Sequence, residues 1–277
     1  MGKKQSEILI KIFIHIMLIG LSVLSLIPFI WMVLTSFKTA GEVFKLPMTW
    51  LPERFMWQNY LYMWQNAPWS QYFMNTVFVT IMVIAGQLMT CSLAAYAFSR
   101  LKFKGRDIIF FIYLGTMMIP FQVVMIPTFK IIKILSLINT LWAIIVPSCF
   151  SAFGVFLLRQ FFLGIPVELE EAAKIDGCGY MKIFWEIIIK NSKPAITTLV
   201  IFTFMGTWND FLRPLIFLNL QETWTLALGL AKFQGTYVTQ WNEMMAGSLI
   251  SMLPVLIIFL FGQKYFVEGI TMTGIKG

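Results

Sequence analysis

Residues 165–177 read IPVELEEAAKIDG, a polar stretch between two long apolar segments. Pro166 is suited to the start of a helix, and the glutamates that follow lie in its first turns, where carboxylates interact favourably with the helix dipole. The dipeptide Asp176-Gly177 is expected to end the helix, because glycine adopts a positive φ without strain. The stretch therefore predicts one short, well-defined helix.

The predicted helix has an apolar face with small alanine side chains at its centre. Leu169, Ala172 and Ala173 recur at i, i+3 and i+4. A second amphipathic segment is predicted for residues 180–189, in which Phe184 can pack against other apolar side chains. Two short helices joined near a glycine would form a rigid peg for the groove of another protein. An ordinary solvated loop on the membrane surface is the alternative.

Outward from this stretch, the chain is a series of long apolar segments. Hydrophobic residues make up 58% and charged residues 12% of the sequence, whereas soluble domains have roughly 45–50% and 25%. A helix needs about 20 apolar residues to cross a bilayer. Six segments meet this requirement: 12–36, 73–98, 108–129, 141–162, 195–218 and 246–265. We therefore predict an all-α membrane protein with six transmembrane helices in one domain, residues 1–277, with the loop 163–194 between the fourth and fifth spans.

The basic residues set the expected orientation. With the N-terminus inside, about two-thirds of the 21 Lys and Arg residues lie on the cytoplasmic side. Both termini and the loop 163–194 are then cytoplasmic, in a multi-pass protein of the cell membrane. The net charge of +8 is explained by the anionic inner leaflet, so a nucleic-acid partner is not required.

The sequence does not favour chemistry within this chain. Cys91, Cys149 and Cys178 are far apart and form no CxxC pair, which argues against a zinc site or a disulfide framework. The sequence contains one histidine and no HExxH motif, so we predict neither a metal site nor an enzyme. It also lacks the phosphate-binding motif Gly-x-x-x-x-Gly-Lys-Ser/Thr, and no cofactor is predicted to bind.

Polar residues inside spans are costly and usually face a cavity or a partner helix. The candidates for a substrate path are Asn75, Gln122, Trp208, Asn209 and Asp210. An interhelical hydrogen bond is the favoured alternative for Asn75, and an ion pair with Arg213 at i, i+3 is favoured for Asp210.

Prolines and glycines inside the spans mark two further features. Pro120, Pro127 and Pro147 free backbone groups, which is tolerated mainly beside cavities or packed protein. Gly86, Gly154 and Gly206 predict close contacts between helices.

The stretch 165–177 and the segment after it resemble the EAA loop of permease subunits in ATP-binding-cassette (ABC) importers. The matching residues are Glu171-Ala172-Ala173, Asp176-Gly177, Phe184 and Ile187. In that family the loop inserts into a cleft of a cytoplasmic ATPase and moves with it. The resemblance implies ATPase coupling by Glu170, Glu171, Ala172, Ala173, Asp176, Gly177 and Phe184. One departure is Lys190, which stands where the family usually has proline.

The resemblance extends over almost the whole chain and points to the carbohydrate-uptake branch. Segments similar to second permeases of maltose-type and multiple-sugar-type importers are Thr35-Ser36-Phe37-Lys38, Ala94-Ala95-Tyr96-Ala97-Phe98-Ser99-Arg100, Phe156-Leu157-Leu158-Arg159-Gln160 and Trp208-Asn209-Asp210-Phe211. The resemblance implies the type I importer fold and half of a pathway for a sugar, with an oligosaccharide favoured, in the plasma membrane of a prokaryote.

The implied partners are a homologous permease, two copies of an ATP-binding subunit that carry ATP and Mg²⁺, and an extracytoplasmic sugar-binding protein. The alternative is a secondary sugar transporter driven by an ion gradient. The sequence disfavours it, because no paired repeats are evident and intramembrane carboxylates are few.

Overall fold

A computed structural model of the chain describes residues 3–232 and 240–271, and all regular elements within these ranges are helical. The α-helices are α1 (Lys3–Ser36), α2 (Gln58–Asn66), α3 (Trp69–Arg100), α4 (Arg106–Gly115), α5 (Phe121–Ile134), α6 (Trp142–Ser148), α7 (Ala152–Leu163), α8 (Glu168–Ile175), α9 (Tyr180–Ile183), α10 (Lys193–Trp208), α11 (Leu212–Phe217), α12 (Leu226–Lys232) and α13 (Trp241–Thr271). A π-helical segment, Phe184–Ile189, continues α9. The predicted all-α class is confirmed.

Within the described residues, four helical segments are long and apolar enough to cross a membrane. They are Leu9–Ser36, Trp69–Arg100, Trp142–Leu163 and Trp241–Gln263. The number rises to as many as six if each of two bent helix pairs counts as one span. The first pair is Arg106–Met118 with α5, bent by 103°, and the second is Tyr180–Ile189 with α10, bent by 82°.

Three of the predicted spans are interrupted rather than continuous. The range 108–129 breaks at Pro120, because proline lacks an N–H and keeps the preceding residue, Ile119, in an extended conformation. The range 141–162 breaks between α6 and α7, two residues after Pro147. The range 195–218 breaks between α10 and α11.

The chain folds into two compact units, Met1–Pro68 with Leu230–Leu253 and Trp69–Gly229 with Pro254–Gly277. In the first unit, α1 exposes apolar side chains around most of its circumference from Leu9 to Ile30. A helix that is apolar on all sides requires lipid or other protein around it.

The segment between α1 and α2 is folded by polar contacts. Lys38 is fully buried, with its Nζ 4.4 Å from the ring centroid of Trp31 and hydrogen-bonded to the Thr49 carbonyl. Asn59 donates to the carbonyl oxygen of Lys38 at 2.8 Å. Burial alone would raise the pKa of the Glu42 carboxyl, but hydrogen bonds from the N–H groups of residues 39 and 53 hold that pKa below its ordinary value.

The second unit is built around α3, which packs against both α7 and α10. Their shared core contains the buried residues Cys91, Ala95, Leu158, Phe162 and Leu199. Two glycines allow this close packing, as predicted: a Cβ on Gly86 would lie 2.3 Å from Cys149 Sγ, and one on Gly154 would lie 2.9 Å from Cys91 Sγ. The prediction was wrong for Gly206, since no atom of another described element lies within 4 Å of a Cβ built there.

Polar side chains of α3 satisfy the backbone where α6 ends. Gln87 Nε2 donates to the Ser148 carbonyl at 2.8 Å, and Thr90 Oγ1 donates to the Cys149 carbonyl at 2.5 Å. Carbonyl groups without a partner are costly in a lipid environment, so these two bonds stabilise the break.

We expect Gly86→Ala to lower the melting temperature of the purified protein in detergent, because its Cβ would overlap Cys149. Overpacking of this kind costs about 1–3 kcal/mol. Gly206→Ala is the matched control, since the same methyl group meets open space, and alanine is favoured over glycine in a helix by up to about 1 kcal/mol. Equal melting temperatures for the two variants would contradict the close contact at Gly86.

Candidate functional site

The candidate site is the helical hairpin formed by α8, α9 and the π-helical segment. Helix α8 begins at Glu168, two residues after Pro166, and ends at Ile175. Gly177 has φ +78°, as the sequence predicts, and the N–H groups of Gly177 and Cys178 donate to the carbonyls of Lys174 and Ala173 at 3.0 and 2.9 Å. This bonding pattern is a Schellman motif, which fixes the direction in which the chain leaves α8.

Glu170 fastens α8 to the end of α3. Its Oε1 lies 2.8 Å from Arg100 Nε, and the two side chains are only 5% and 8% exposed. Arg100 Nη2 also donates to the carbonyl oxygens of Phe162 and Ile165 at 2.5 Å each, at the end of α7. One guanidinium therefore links α3, α7 and α8.

Phe184 anchors the second arm of the hairpin. It is fully buried and packs against the Tyr96 ring of α3, with 5.3 Å between centroids, and Ile188 one turn later is buried in the same core. In this structure Glu170 and Phe184 hold the hairpin onto the spans and do not belong to its accessible surface. The sequence grouped them with the coupling residues because a motif gives spacing but not the direction of a side chain.

The accessible surface of the hairpin consists of other residues of the same motif. Glu171, Ala172, Asp176 and Gly177 are exposed, and Ala173 is half-buried. Beside them Leu169 and Ile175 expose 45% and 87% of their surface. Small, acidic and apolar groups thus form one exposed patch, which we call the docking face: Leu169, Glu171, Ala172, Ala173, Ile175, Asp176 and Gly177.

The candidate path residues do not all come together. Asn75 is buried, and its Nδ2 donates to the carbonyls of Glu222 and Trp224 at 2.8 and 2.9 Å. Its Oδ1 accepts from Gln71 at 3.0 Å. The structure therefore favours the structural hydrogen-bonding role for Asn75 that the sequence raised as an alternative. Trp208 is also buried, with its ring stacked on Phe204 at 5.1 Å.

The remaining candidates lie near the break between α10 and α11. The ion pair expected from the sequence is present, with Arg213 Nη1 3.1 Å from Asp210 Oδ2. Asn209 is exposed and donates to the carbonyl of the preceding helical turn. The Arg213 guanidinium also lies 4.9 Å from the ring centroid of Phe121, which brings the exposed Gln122 at the start of α5 towards this break.

Comparisons with known proteins agree with this architecture. Residues 87–272 match the family described as binding-protein-dependent transport system inner membrane component. A probable ABC transporter permease protein, YurM of Bacillus subtilis, is 38% identical over 256 residues, covering 90% of this chain and 83% of the relative. The arabinooligosaccharides transport system permease protein AraQ of Halalkalibacterium halodurans is 34% identical over 258 residues, covering 92% of each.

A solved structure extends the likeness to the fold. A chain of a bacterial ABC transporter involved in the import of the acidic polysaccharide alginate superposes with a TM-score of 0.84 at 25% identity. The match covers 96% of the present chain and 99% of that chain. The chain therefore belongs to the family of binding-protein-dependent transport system inner membrane components, as a non-catalytic, multi-pass permease subunit of an ABC importer.

Proposed function

We propose that the chain forms half of the translocation pathway for a sugar, an oligosaccharide, and that its hairpin docks on a separate ATPase. The observation that carries the proposal is the division of the hairpin into two surfaces. The Arg100–Glu170 pair and Phe184 fix one surface to the spans, while the docking face is left exposed. A rigid, exposed peg is what a motor protein needs in order to move a membrane helix.

The proposed assembly contains a homologous permease, two ATP-binding subunits that hold ATP and Mg²⁺, and an extracytoplasmic sugar-binding protein. The hairpin and both termini lie in the cytoplasm, which the distribution of Lys and Arg supports. Because members of the family are components of binding-protein-dependent systems, the alternative of an ion-gradient-driven transporter is set aside.

The mechanism that follows is alternating access. ATP brings the two ATPase subunits together, and each carries the docking face of one permease with it. Since Arg100 joins α8 to the ends of α3 and α7, movement of the hairpin is passed to these spans without a flexible joint. The spans then open to the outside, sugar enters from the binding protein, and hydrolysis restores the inward-facing state.

The substrate class rests on the relatives. AraQ is named for arabinooligosaccharides and the superposed importer takes a polysaccharide, which supports a saccharide cargo, although UgpE of Yersinia pestis, 32% identical over 269 residues, is named for sn-glycerol-3-phosphate. For the path we retain Gln122, Asn209 and Asp210, which lie around the break between α10 and α11. Asn75 and Trp208 have a structural role instead, because the Asn75 amide already binds backbone carbonyls and the Trp208 ring already stacks on Phe204.

Reversal of charge on the docking face tests the coupling role. We expect Glu171→Lys to leave membrane insertion and the melting temperature unchanged, since Glu171 is exposed. The variant should lose most co-purification of the ATPase and most ATP-dependent sugar uptake in proteoliposomes. Glu222→Lys, the same exposed charge reversal outside the hairpin, is the control and should retain both. Full ATPase binding by Glu171→Lys would contradict the docking role.

Adjacent glutamates on α8 allow anchoring to be separated from docking. Glu170→Ala leaves the Arg100 guanidinium buried without its carboxylate, and loss of one member of a buried pair costs roughly 3–5 kcal/mol. We therefore expect a clear drop in melting temperature. Glu171→Ala, an exposed substitution one residue away, should change stability by about 0.5 kcal/mol or less. A similar melting temperature for both variants would show that the Arg100–Glu170 pair does not anchor the hairpin.

A further inference from the structure

A groove of about 230 Å³ opens in the second unit between α3, the α6–α7 break and α10. None of the sequence-predicted path candidates lines it. Its uncharged polar side chains come from long apolar segments: Gln87 from α3, Ser148 and Ser151 at the α6–α7 break, and Thr203 with Thr207 from α10. Polar groups in the middle of spans, next to a discontinuous helix, are typical of substrate sites in transporters.

Two polar side chains of the groove are hydrogen-bonded to each other and still have unused donors and acceptors. Thr203 Oγ1 donates to Gln87 Oε1 at 2.8 Å, and Gln87 Nε2 donates to the Ser148 carbonyl at 2.8 Å. This fixes the glutamine side chain and leaves one N–H of its amide and the acceptor lone pairs of the Thr203 hydroxyl for another partner. Ser151 Oγ accepts from the Gly154 N–H at 3.1 Å, so its hydroxyl hydrogen can also be donated.

Aromatic side chains complete the lining. Phe150, at the break, is 64% exposed, and Phe153 and Phe202 meet edge to face with 5.4 Å between centroids. A mixture of fixed donors, acceptors and aromatic faces matches a molecule with many hydroxyl groups on one side and C–H groups on the other. Pyranose and furanose rings have this character.

The charge of the groove further restricts the class of ligand that can bind there. Arg213 is the one charged side chain among the described residues that line the groove, and Asp210 neutralises it at 3.1 Å. The lining therefore carries no net charge for the recognition of a carboxylate or phosphate group. The superposed importer, in contrast, takes an acidic polysaccharide.

We propose that this groove is the chain's contact site for a neutral saccharide, held by Gln87, Ser151 and Thr203 and by the Phe150 and Phe202 rings. The inference rests on the proposed function and extends it by naming the residues and the charge class of the cargo. The groove is smaller than the roughly 300–1,000 Å³ of complete ligand pockets, as expected for one half of a site shared with a second permease.

The test uses the complete importer, purified with its partner subunits and binding protein and reconstituted in liposomes. ATP-dependent uptake is measured for labelled arabinotriose, a neutral probe, and for an alginate trisaccharide, an acidic probe. We expect wild type to take up the neutral probe in preference. Thr203→Val should lower its maximal rate about five-fold, the ratio expected for one neutral hydrogen bond. Thr203→Ser should retain the rate.

Thr198→Val is the matched control, because its hydroxyl lies on the same helix but bonds to the Pro194 carbonyl outside the groove. If Thr203→Val does not assemble, Ser151→Ala takes its place, because Ser151 is another of the proposed contacts. A rate for the groove variant equal to that of the control overturns the contact site. The proposal that the cargo is a neutral saccharide is overturned if the wild-type importer takes up the acidic probe. It is also overturned if the wild-type importer takes up neither probe. Failure of the proposed function would look different: no ATPase would co-purify with the chain.

Discussion

The burial of one guanidinium group governs the arrangement of the second unit. A charge at the position of Arg100 is tolerated only because polar partners meet it there: the Glu170 carboxylate and two carbonyls at the end of α7. These partners come from two other elements, so neither can move away without leaving the buried charge short of a partner. Electrostatics thus makes the end of α3, the end of α7 and helix α8 one rigid piece.

Helix α3 has a second role at its middle. There, Gln87 and Thr90 bind the carbonyls freed where α6 ends, and the same glutamine also receives a hydrogen bond from Thr203 of α10. The helix that is fixed to the hairpin at its end therefore also organises the polar groove at its centre. Under the proposed function, a displacement of the hairpin would reach the groove through one continuous helix of 32 residues.

Features that depend on neighbours in the sequence could be predicted. Gly177 has the positive φ expected after a short helix, and the Asp210–Arg213 pair follows from i, i+3 spacing. Features that depend on packing could not. The burial of Glu170 requires Arg100, which is 70 positions away, and the hydrogen bonds of Asn75 require carbonyls of a distant loop. Among the described residues, Gly86 is in close contact with another helix and Gly206 is not, although both lie in apolar segments.

The location of the polar groove has a similar explanation. From the sequence, Gln87, Ser151 and Thr203 are three isolated polar residues in three apolar segments, and such residues more often serve helix packing. The packing of α10 on α3 brings Gln87 and Thr203 together, and the break after Pro147 places Ser151 and Phe150 beside them. Binding there would be weak, because part of the hydrogen-bonding capacity already holds the backbone: Gln87 donates to the Ser148 carbonyl and Ser151 accepts from the Gly154 N–H. Under the proposed function, weak contact suits a pathway from which the cargo must leave at every cycle.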